Sequence, residues 1–316
     1  MHSPNFERRT TRPPSGEARS ARPRVTYQGE RGAFSEEAAL QLLGRGVDLV
    51  PCSTFDLALA EVLAGTAESA LLPLENSTVG AVQQPLDLLL ATPLHIVAET
   101  VLRVRHHLIG CQPARIDELE AVESHPVALA QCAGFFARHP GIRREPSADT
   151  AGSVRHVCAA GNRRRAALGS GRAARLYGGH LLRRDVQDIT HYLTRFVLAS
   201  REPAAAGNKT SLVVELEHRP GSLHRVLQPF ASRGVDLLRV ETRPVQNKPW
   251  QYRFTLDIQG SPDDGAVAAA LREVARCSAS CRILGCFPAA PLPRRSGDRA
   301  VRGAHRPDPG RDRSSR

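Results

Sequence analysis

No apolar stretch of the 316-residue chain approaches the roughly 20 residues that a spanning helix needs. Leu86 to Ala91 is too short, and Arg103 and Arg105 interrupt the next apolar segment, so no membrane crossing is expected. Aromatic residues make up only 4% of the chain and do not interleave with a basic helix. Specific nucleic-acid recognition is therefore not expected. Neither a GxGxxG turn nor a GKS/T phosphate loop occurs, and Gly29 and Gly32 alone are too few for one, which argues against a nicotinamide or nucleotide cofactor. The seven cysteines, Cys52, Cys111, Cys132, Cys158, Cys277, Cys281 and Cys286, are odd in number and form no CxxC pair. That usage suits reduced thiols in a cytosolic protein. Cys277, Cys281 and Cys286 cluster, but their spacing is unlike a structural zinc site and no His is near, so no metal is expected.

What is present begins with charge. The formal net charge is +11, and nine of those charges sit at the two ends. Residues 1–24 hold six arginines against Glu7 and Glu17, and residues 290–316 hold eight arginines against three aspartates. Both ends are rich in Pro, Ser, Gly and Arg, so residues 1–23 and 289–316 are expected to be disordered basic tails that adhere to polyanions only weakly and without specificity. The N-terminal tail lacks the apolar core of a secretory signal, and its shortness and two glutamates argue against a transit peptide. Between the tails, 41% hydrophobic residues suffice for more than one buried core.

Short apolar runs alternate with amphipathic stretches, the pattern of a mostly parallel sheet flanked by helices. Strands are expected at 24–28, 47–50 and 69–72, with a helix from Ser35, as cap, to Leu43 and another over 54–63. The extended segment from His95 to Gly110 reads as a crossing between two lobes, the second spanning about 104–182. Within it, 121–124 and 166–169 read as strands, and 128–138, 149–159 and 173–177 as helices. Residues 195–199 then return to the first lobe's sheet. Pro203, three alanines and Gly207 make 201–208 a linker. Beyond it the order over 209–288 is βαββαβ, a ferredoxin-like module.

Three polar signatures end apolar runs: Pro73-Leu74-Glu75-Asn76-Ser77, Asp149-Thr150-Ala151-Gly152-Ser153 and Thr194-Arg195-Phe196. Strand ends that feed helix starts are where an α/β protein gathers amides and hydroxyls around an anion. Together with Val25-Thr26-Tyr27-Gln28-Gly29, Gly32-Ala33-Phe34-Ser35, His125-Pro126, Ala128-Leu129-Ala130-Gln131-Cys132 and Gln187-Asp188, the set resembles the prephenate dehydratases from about Arg24 to Cys286. Arg219-Pro220-Gly221-Ser222-Leu223 and Glu241-Thr242-Arg243-Pro244 look like the two ligand motifs of the ACT domain that follows the catalytic region in that family. The resemblance implies an α/β fold: a bilobal, periplasmic-binding-protein-like catalytic region over 24–200 followed by a ferredoxin-like ACT domain over 209–288.

It implies decarboxylative dehydration of prephenate to phenylpyruvate without a cofactor, inhibition by L-phenylalanine, a homodimer or homotetramer, and a cytoplasmic location. Thr194 takes the essential role by resemblance. A threonine hydroxyl is too weak an acid to be the main proton source, so Glu75, desolvated in a closed cleft, or a relayed water is the expected donor. Asn76, Ser77, Thr150, Ala151, Gly152, Ser153 and Phe196 are expected at the substrate. Strand alternation sends Thr194 and Phe196 to one face and Arg195 to the other, leaving Arg195 either a substrate clamp or a structural cation. Pro220, Gly221, Ser222, Leu223, Glu241, Thr242, Arg243 and Pro244 are expected to hold phenylalanine. Two positions depart from the family: Tyr192 stands where Asn is usual and Val127 where Gln is usual. An arogenate dehydratase or a non-catalytic amino-acid sensor are the alternative readings.

Overall fold

A computed structural model describes residues 22–245 and 251–293. The expected tails fall outside the described residues apart from 22–23 and 289–293. The first apolar runs form β1 (Arg24–Gln28), β2 (Asp48–Cys52), β3 (Ser69–Asn76), the two-residue β4 (Gly80–Ala81) and β5 (His95–Arg103). Helices α1 (Phe34–Leu43), α2 (Phe55–Leu63) and α3 (Gln83–Leu90) lie between them in sequence. The chain crosses at Val104–His106 into a second unit of β6 (His107–Gly110), β7 (Ala121–Ser124), β8 (Arg143–Pro146), β9 (Arg165–Gly169) and β10 (His180–Arg183). That unit carries α4 (Pro126–Gln131), α5 (Ala133–Arg138), α6 (Thr150–Ala160) and α7 (Gly171–Leu176). It then returns as β11 (Leu193–Ser200), which inserts antiparallel between β3 and β5. The first sheet has the order β2-β1-β3-β11-β5 and the second β10-β6-β9-β7-β8. This is the bilobal arrangement, with two crossings held together where Val104 N donates to Tyr192 O at 2.8 Å.

The remaining elements, β12 (Lys209–Leu216), α8 (Ser222–Ala231), β13 (Leu237–Pro244), β14 (Tyr252–Gln259), α9 (Gly265–Cys277) and β15 (Ser280–Phe287), form an antiparallel sheet of order β13-β14-β12-β15. Leu212, Val214, Leu256, Ile258, Val226, Phe230 and Val274 pack as one buried cluster under the two helices. Val213, Leu284 and Phe287 from the other face join Leu72, Leu74, Leu86, Leu89 and Ile96 of the first lobe in a common core. The small sheet therefore lies directly on the back of the first. Gly285 is required for that contact, since a Cβ there would stand 2.0 Å from the Ile96 carbonyl oxygen.

The lobes are also closed against one another. Val25, Tyr27 and Ala38 share a core with Val154, Ala167 and Ala173. Gly32, at φ +89°, abuts α7 so closely that a Cβ would lie 2.8 Å from Ala173 Cα, and its carbonyl accepts from Ser170 Oγ at 2.7 Å. Among the described residues no helix is long and apolar enough to cross a membrane.

Three local expectations need correction. Ser35 does not cap α1: Ala33 takes that position without a side-chain bond, and Ser35 sits inside the first turn. The helix expected over 128–138 is two helices, because Asp188 N takes the Gln131 carbonyl at 2.8 Å and Asp188 Oδ1 takes Gly134 N at 2.9 Å, replacing the helical ladder around Cys132. β3 does not stop at Leu72 but runs through Pro73 to Asn76. Opposite it the β11 register jumps from Glu75↔Arg195 to Pro73↔Phe196, a bulge that accommodates a proline with no N–H to donate.

Candidate active site

A cavity of about 250 Å³ opens where the two crossings meet the ends of β1, β3 and β11. Asn76, Thr194 and Phe196 reach it from the first sheet, Ser35 and Phe34 from α1, Thr150 and Asp149 from α6, and His125, Val127 and Gln131 from α4. None of its described lining residues is Arg or Lys. The start of α1, which no side chain caps, opens onto the cavity and can offer amides and dipole to an anion, whereas the start of α6 is capped by Asp149, whose carboxylate lies in the same wall.

Asn76 fixes the hydroxyl of Thr194. Its Oδ1 accepts the backbone N–H groups of Thr78 at 3.0 Å and Val79 at 3.3 Å, which turns Nδ2 toward Thr194 Oγ1 at 3.1 Å. With its oxygen accepting from Asn76, Thr194 has its own proton free to donate into the cavity.

Several expected site residues lie elsewhere. Ser77 accepts from Leu193 N at 3.1 Å and donates to His191 O at 3.3 Å, tying β3 to β11 without lining the cavity. Ala151 and Ser153 are buried in the first turn of α6. Gly152 gives its amide to the capping Asp149 Oδ1 at 2.7 Å, and Ser153 Oγ donates to Asp149 O at 2.8 Å. Of that motif, Asp149 and Thr150 line the cavity.

Glu75 and Arg195 point through the sheet to its other face. Arg195 Nε lies 2.6 Å from Glu99 Oε2 and Arg195 Nη1 2.6 Å from Asp257 Oδ2, with Lys209 Nζ 3.0 Å from Glu99 Oε2. Burial alone would pull the guanidinium pKa down, but Asp257 and Glu99 outweigh it and the group is held charged. Of the two roles expected for Arg195, this placement is that of a cation paired within the fold, and the side chain does not line the cavity. Glu75 pairs with Arg239 at 3.3 Å and is 38% exposed on its side chain, the opposite of a carboxylate desolvated in the substrate cleft.

His106, on the first crossing, escaped the sequence reading. It lines the cavity, is 2% exposed, and packs edge-on against Phe34 at 5.3 Å. Nε2 lies 2.8 Å from Gln131 Oε1, while the buried Nδ1 has no partner. Burial pushes its pKa from 6.5 down to about 4, so the ring is neutral at physiological pH. The unfolded chain takes up that proton below about 6.5 and the folded protein only below about 4. Stability is therefore expected to fall as pH drops through that window, by at most about 3 kcal/mol from this group. Urea midpoints between pH 7 and 4 should show the decline, and His106→Asn should flatten it.

Of the two departures from the family, Tyr192 is buried and does not line the cavity, while Val127 does line it, its N–H donating to His125 Nδ1 at 3.2 Å.

The second set of motifs is split. A cavity of about 140 Å³ is lined by Arg219, Ser222, Leu223, Tyr252 and Phe254, beside the turn in which Gly221 adopts φ +78° and Pro220 precedes it. Glu241, Thr242, Arg243 and Pro244 lie on β13, separated from that cavity by β14. Glu241 pairs with Arg239 at 3.6 Å, and Arg243 reaches Asp87 on α3.

Fold and site define a two-lobed α/β protein with a polar cavity at the hinge and a ferredoxin-like module on its back. A prephenate dehydratase profile matches residues 25–204 and an ACT domain profile residues 210–276. The chain belongs to the prephenate dehydratase family. It is 38% identical over 281 residues to arogenate dehydratase/prephenate dehydratase 2, chloroplastic, of Arabidopsis thaliana, covering 85% of this chain and 73% of that one. The solved prephenate dehydratase of Arthrobacter aurescens in complex with L-Phe is 33% identical with a TM-score of 0.77, covering 84% of this chain and 90% of that chain. A solved chain described as GqqA, a novel type of quorum quenching acylase, is 35% identical with a TM-score of 0.77, covering 85% and 98%.

Proposed function

We propose that the hinge cavity binds prephenate and that the chain converts it to phenylpyruvate, water and carbon dioxide. The observation that carries this reading is the Asn76–Thr194 hydrogen bond facing a cavity that receives the starts of α1 and α6. Prephenate presents two carboxylates and a ring hydroxyl; the uncapped start of α1 supplies amides and dipole for the anionic groups, Thr150 at the start of α6 supplies a hydroxyl, and Thr194 Oγ–H donates to the departing oxygen. The lack of Arg and Lys among the described lining residues suits a carboxylate that must leave as neutral carbon dioxide, since a tight ion pair would stabilise the ground state more than the transition state. Aromatisation drives the rest. With Glu75 on the far face, a relayed water is the proton source, and we assign Glu75 no acid role.

L-phenylalanine is the effector, held by the Pro220–Leu223 turn of one ACT domain. The Glu241–Pro244 edge strand of a second copy would complete the site, because one chain keeps the two motifs apart. Leu238 and Val240, exposed on that edge strand, support pairing of copies as a homodimer or homotetramer. The seven free cysteines suit the reducing cytoplasm. We take 24–200 as the catalytic region and 209–288 as the regulatory one.

The non-catalytic alternative drew on Tyr192, which lies outside the cavity lining. Ultraviolet detection of phenylpyruvate, with prephenate and arogenate supplied in parallel, tests the activity. Turnover of prephenate at the higher kcat/KM is expected; arogenate as the better substrate reassigns the enzyme, and inertness toward both rejects it.

A further inference from the structure

Thr194 and Asn76 front the cavity as a cross-strand pair, and the next pair behind them in the register is Arg195 and Glu75. The side chains of that second pair pass to the opposite face, where residues of the small sheet take hold of both. Asp257 on β14 binds Arg195 at 2.6 Å, and Arg239 on β13 binds Glu75 at 3.3 Å. Arg195 and Glu75 also approach each other at 3.8 Å, so the two grips form one cluster. Ser211 on β12 donates to the second oxygen of Asp257, and Lys209 bridges toward Glu99 on β5, which fixes the carboxylates that hold Arg195.

The position of this cluster matters mechanically. Just beyond the Arg195–Glu75 pair the ladder is broken by the bulge at Leu74, so against β11 the Thr194–Asn76 and Arg195–Glu75 pairs form a short stretch of their own, with β3 flanked there on its other side by the two-residue β4. The Thr78 and Val79 amides orient the Asn76 side chain, and what holds Glu75 and Arg195 from behind bears on how the backbones of Asn76 and Thr194 are spaced. A shift of a few tenths of an ångström in β14 or β13 would be passed by the Asp257–Arg195 pair at 2.6 Å and the longer Arg239–Glu75 pair at 3.3 Å to the two residues flanking the reacting oxygen. β13 also carries Glu241 to Pro244, which puts an effector motif and the Glu75 grip on the same strand.

We infer that Arg239, acting through Glu75, and Asp257, acting through Arg195, are positioning residues for the dehydration, supplied to the catalytic pair by the regulatory sheet. The inference rests on the reading that Thr194 and Asn76 serve the reaction. It makes the small sheet part of the catalytic apparatus even when no effector is bound.

The test uses the full chain and the variants Arg239→Gln, Arg239→Lys, Glu75→Gln and the double variant Glu75→Gln with Arg239→Gln, assayed for phenylpyruvate formation. Arg239→Gln and Glu75→Gln are each expected to lower kcat about tenfold with KM within twofold. The double variant should fall no further than either single one, and Arg239→Lys should recover to within threefold of the parent. Saturating L-phenylalanine should inhibit Arg239→Gln less than half as far as the parent, with its calorimetric Kd within threefold. Thermal midpoints accompany each assay, and Glu75→Gln, at a half-exposed position, decides the matter if Arg239→Gln does not fold. An active parent with both single variants at parental kcat overturns the inference alone, as does a double variant whose loss is the product of the two single losses. A parent that makes no phenylpyruvate overturns the functional reading and this inference together.

Discussion

Thr194→Val is expected to lower kcat for phenylpyruvate formation by about 10² to 10³-fold, the usual consequence of deleting one preorganised hydrogen-bond donor at a developing oxyanion. Valine keeps the shape and the β-branch, so the strand geometry survives and KM should stay within threefold. The loss falls on kcat because the hydrogen bond strengthens only as the carbon–oxygen bond breaks. Thr194→Ser keeps the hydroxyl and should retain activity to within about tenfold, the remaining cost reflecting a rotor no longer fixed by its methyl group. Steady-state ultraviolet kinetics on the three proteins distinguish this role from simple packing, which Thr194→Ser would disturb more than Thr194→Val. A Thr194→Val enzyme within fivefold of the parent would remove the hydroxyl from the mechanism.

Arg195→Met should be the most destabilising of the conservative substitutions, by about 3–5 kcal/mol. Methionine fills similar volume, yet it leaves Glu99 and Asp257, both nearly inaccessible, with Lys209 as their remaining cation at 3.0 and 3.8 Å. The loss arises from uncompensated buried charge rather than from the missing contact itself. Urea unfolding of the variant should show an early transition in which the small sheet separates from the first lobe. By contrast Glu75→Gln, with its solvent exposure, should cost less than about 1 kcal/mol. An Arg195→Met protein unfolding at the parental midpoint would mean that Lys209 alone neutralises the cluster.

The period-two reasoning that separated Thr194 and Phe196 from Arg195 was sound, because it needs only the strand's own geometry. What Arg195 meets on the far face was not legible, since its partners Glu99 and Asp257 lie 96 and 62 residues away. The same limit explains the divided helix at Cys132, which is interrupted by Asp188 from a crossing segment. Glu75 went to the wrong face for a local reason. The apolar run reads as a strand over 69–72, which places Glu75, Asn76 and Ser77 together beyond its carboxyl end. With β3 continuing through a bulge, Glu75 alternates with Asn76, and only one of the two can face the cavity. His106 carries no signature of its own; consecutive histidines in an extended run resemble any crossing segment until the burial of one ring is seen.

The ACT motifs show another limit of a single chain. Their composition was readable, and the turn at Gly221 has the left-handed backbone that glycine permits. Their distance from one another follows from strand order, because β14 inserts between β12 and β13 in every ferredoxin-like sheet of this order.

Where prephenate sits is tested most directly by a crystal structure of Thr194→Val soaked with prephenate. The cyclohexadiene is expected in the hinge cavity, with a carboxylate at the uncapped start of α1 and the carbon bearing the hydroxyl turned toward residue 194 and Asn76. Prephenate bound outside that cavity, or within it with the hydroxyl turned away from Asn76, would contradict it.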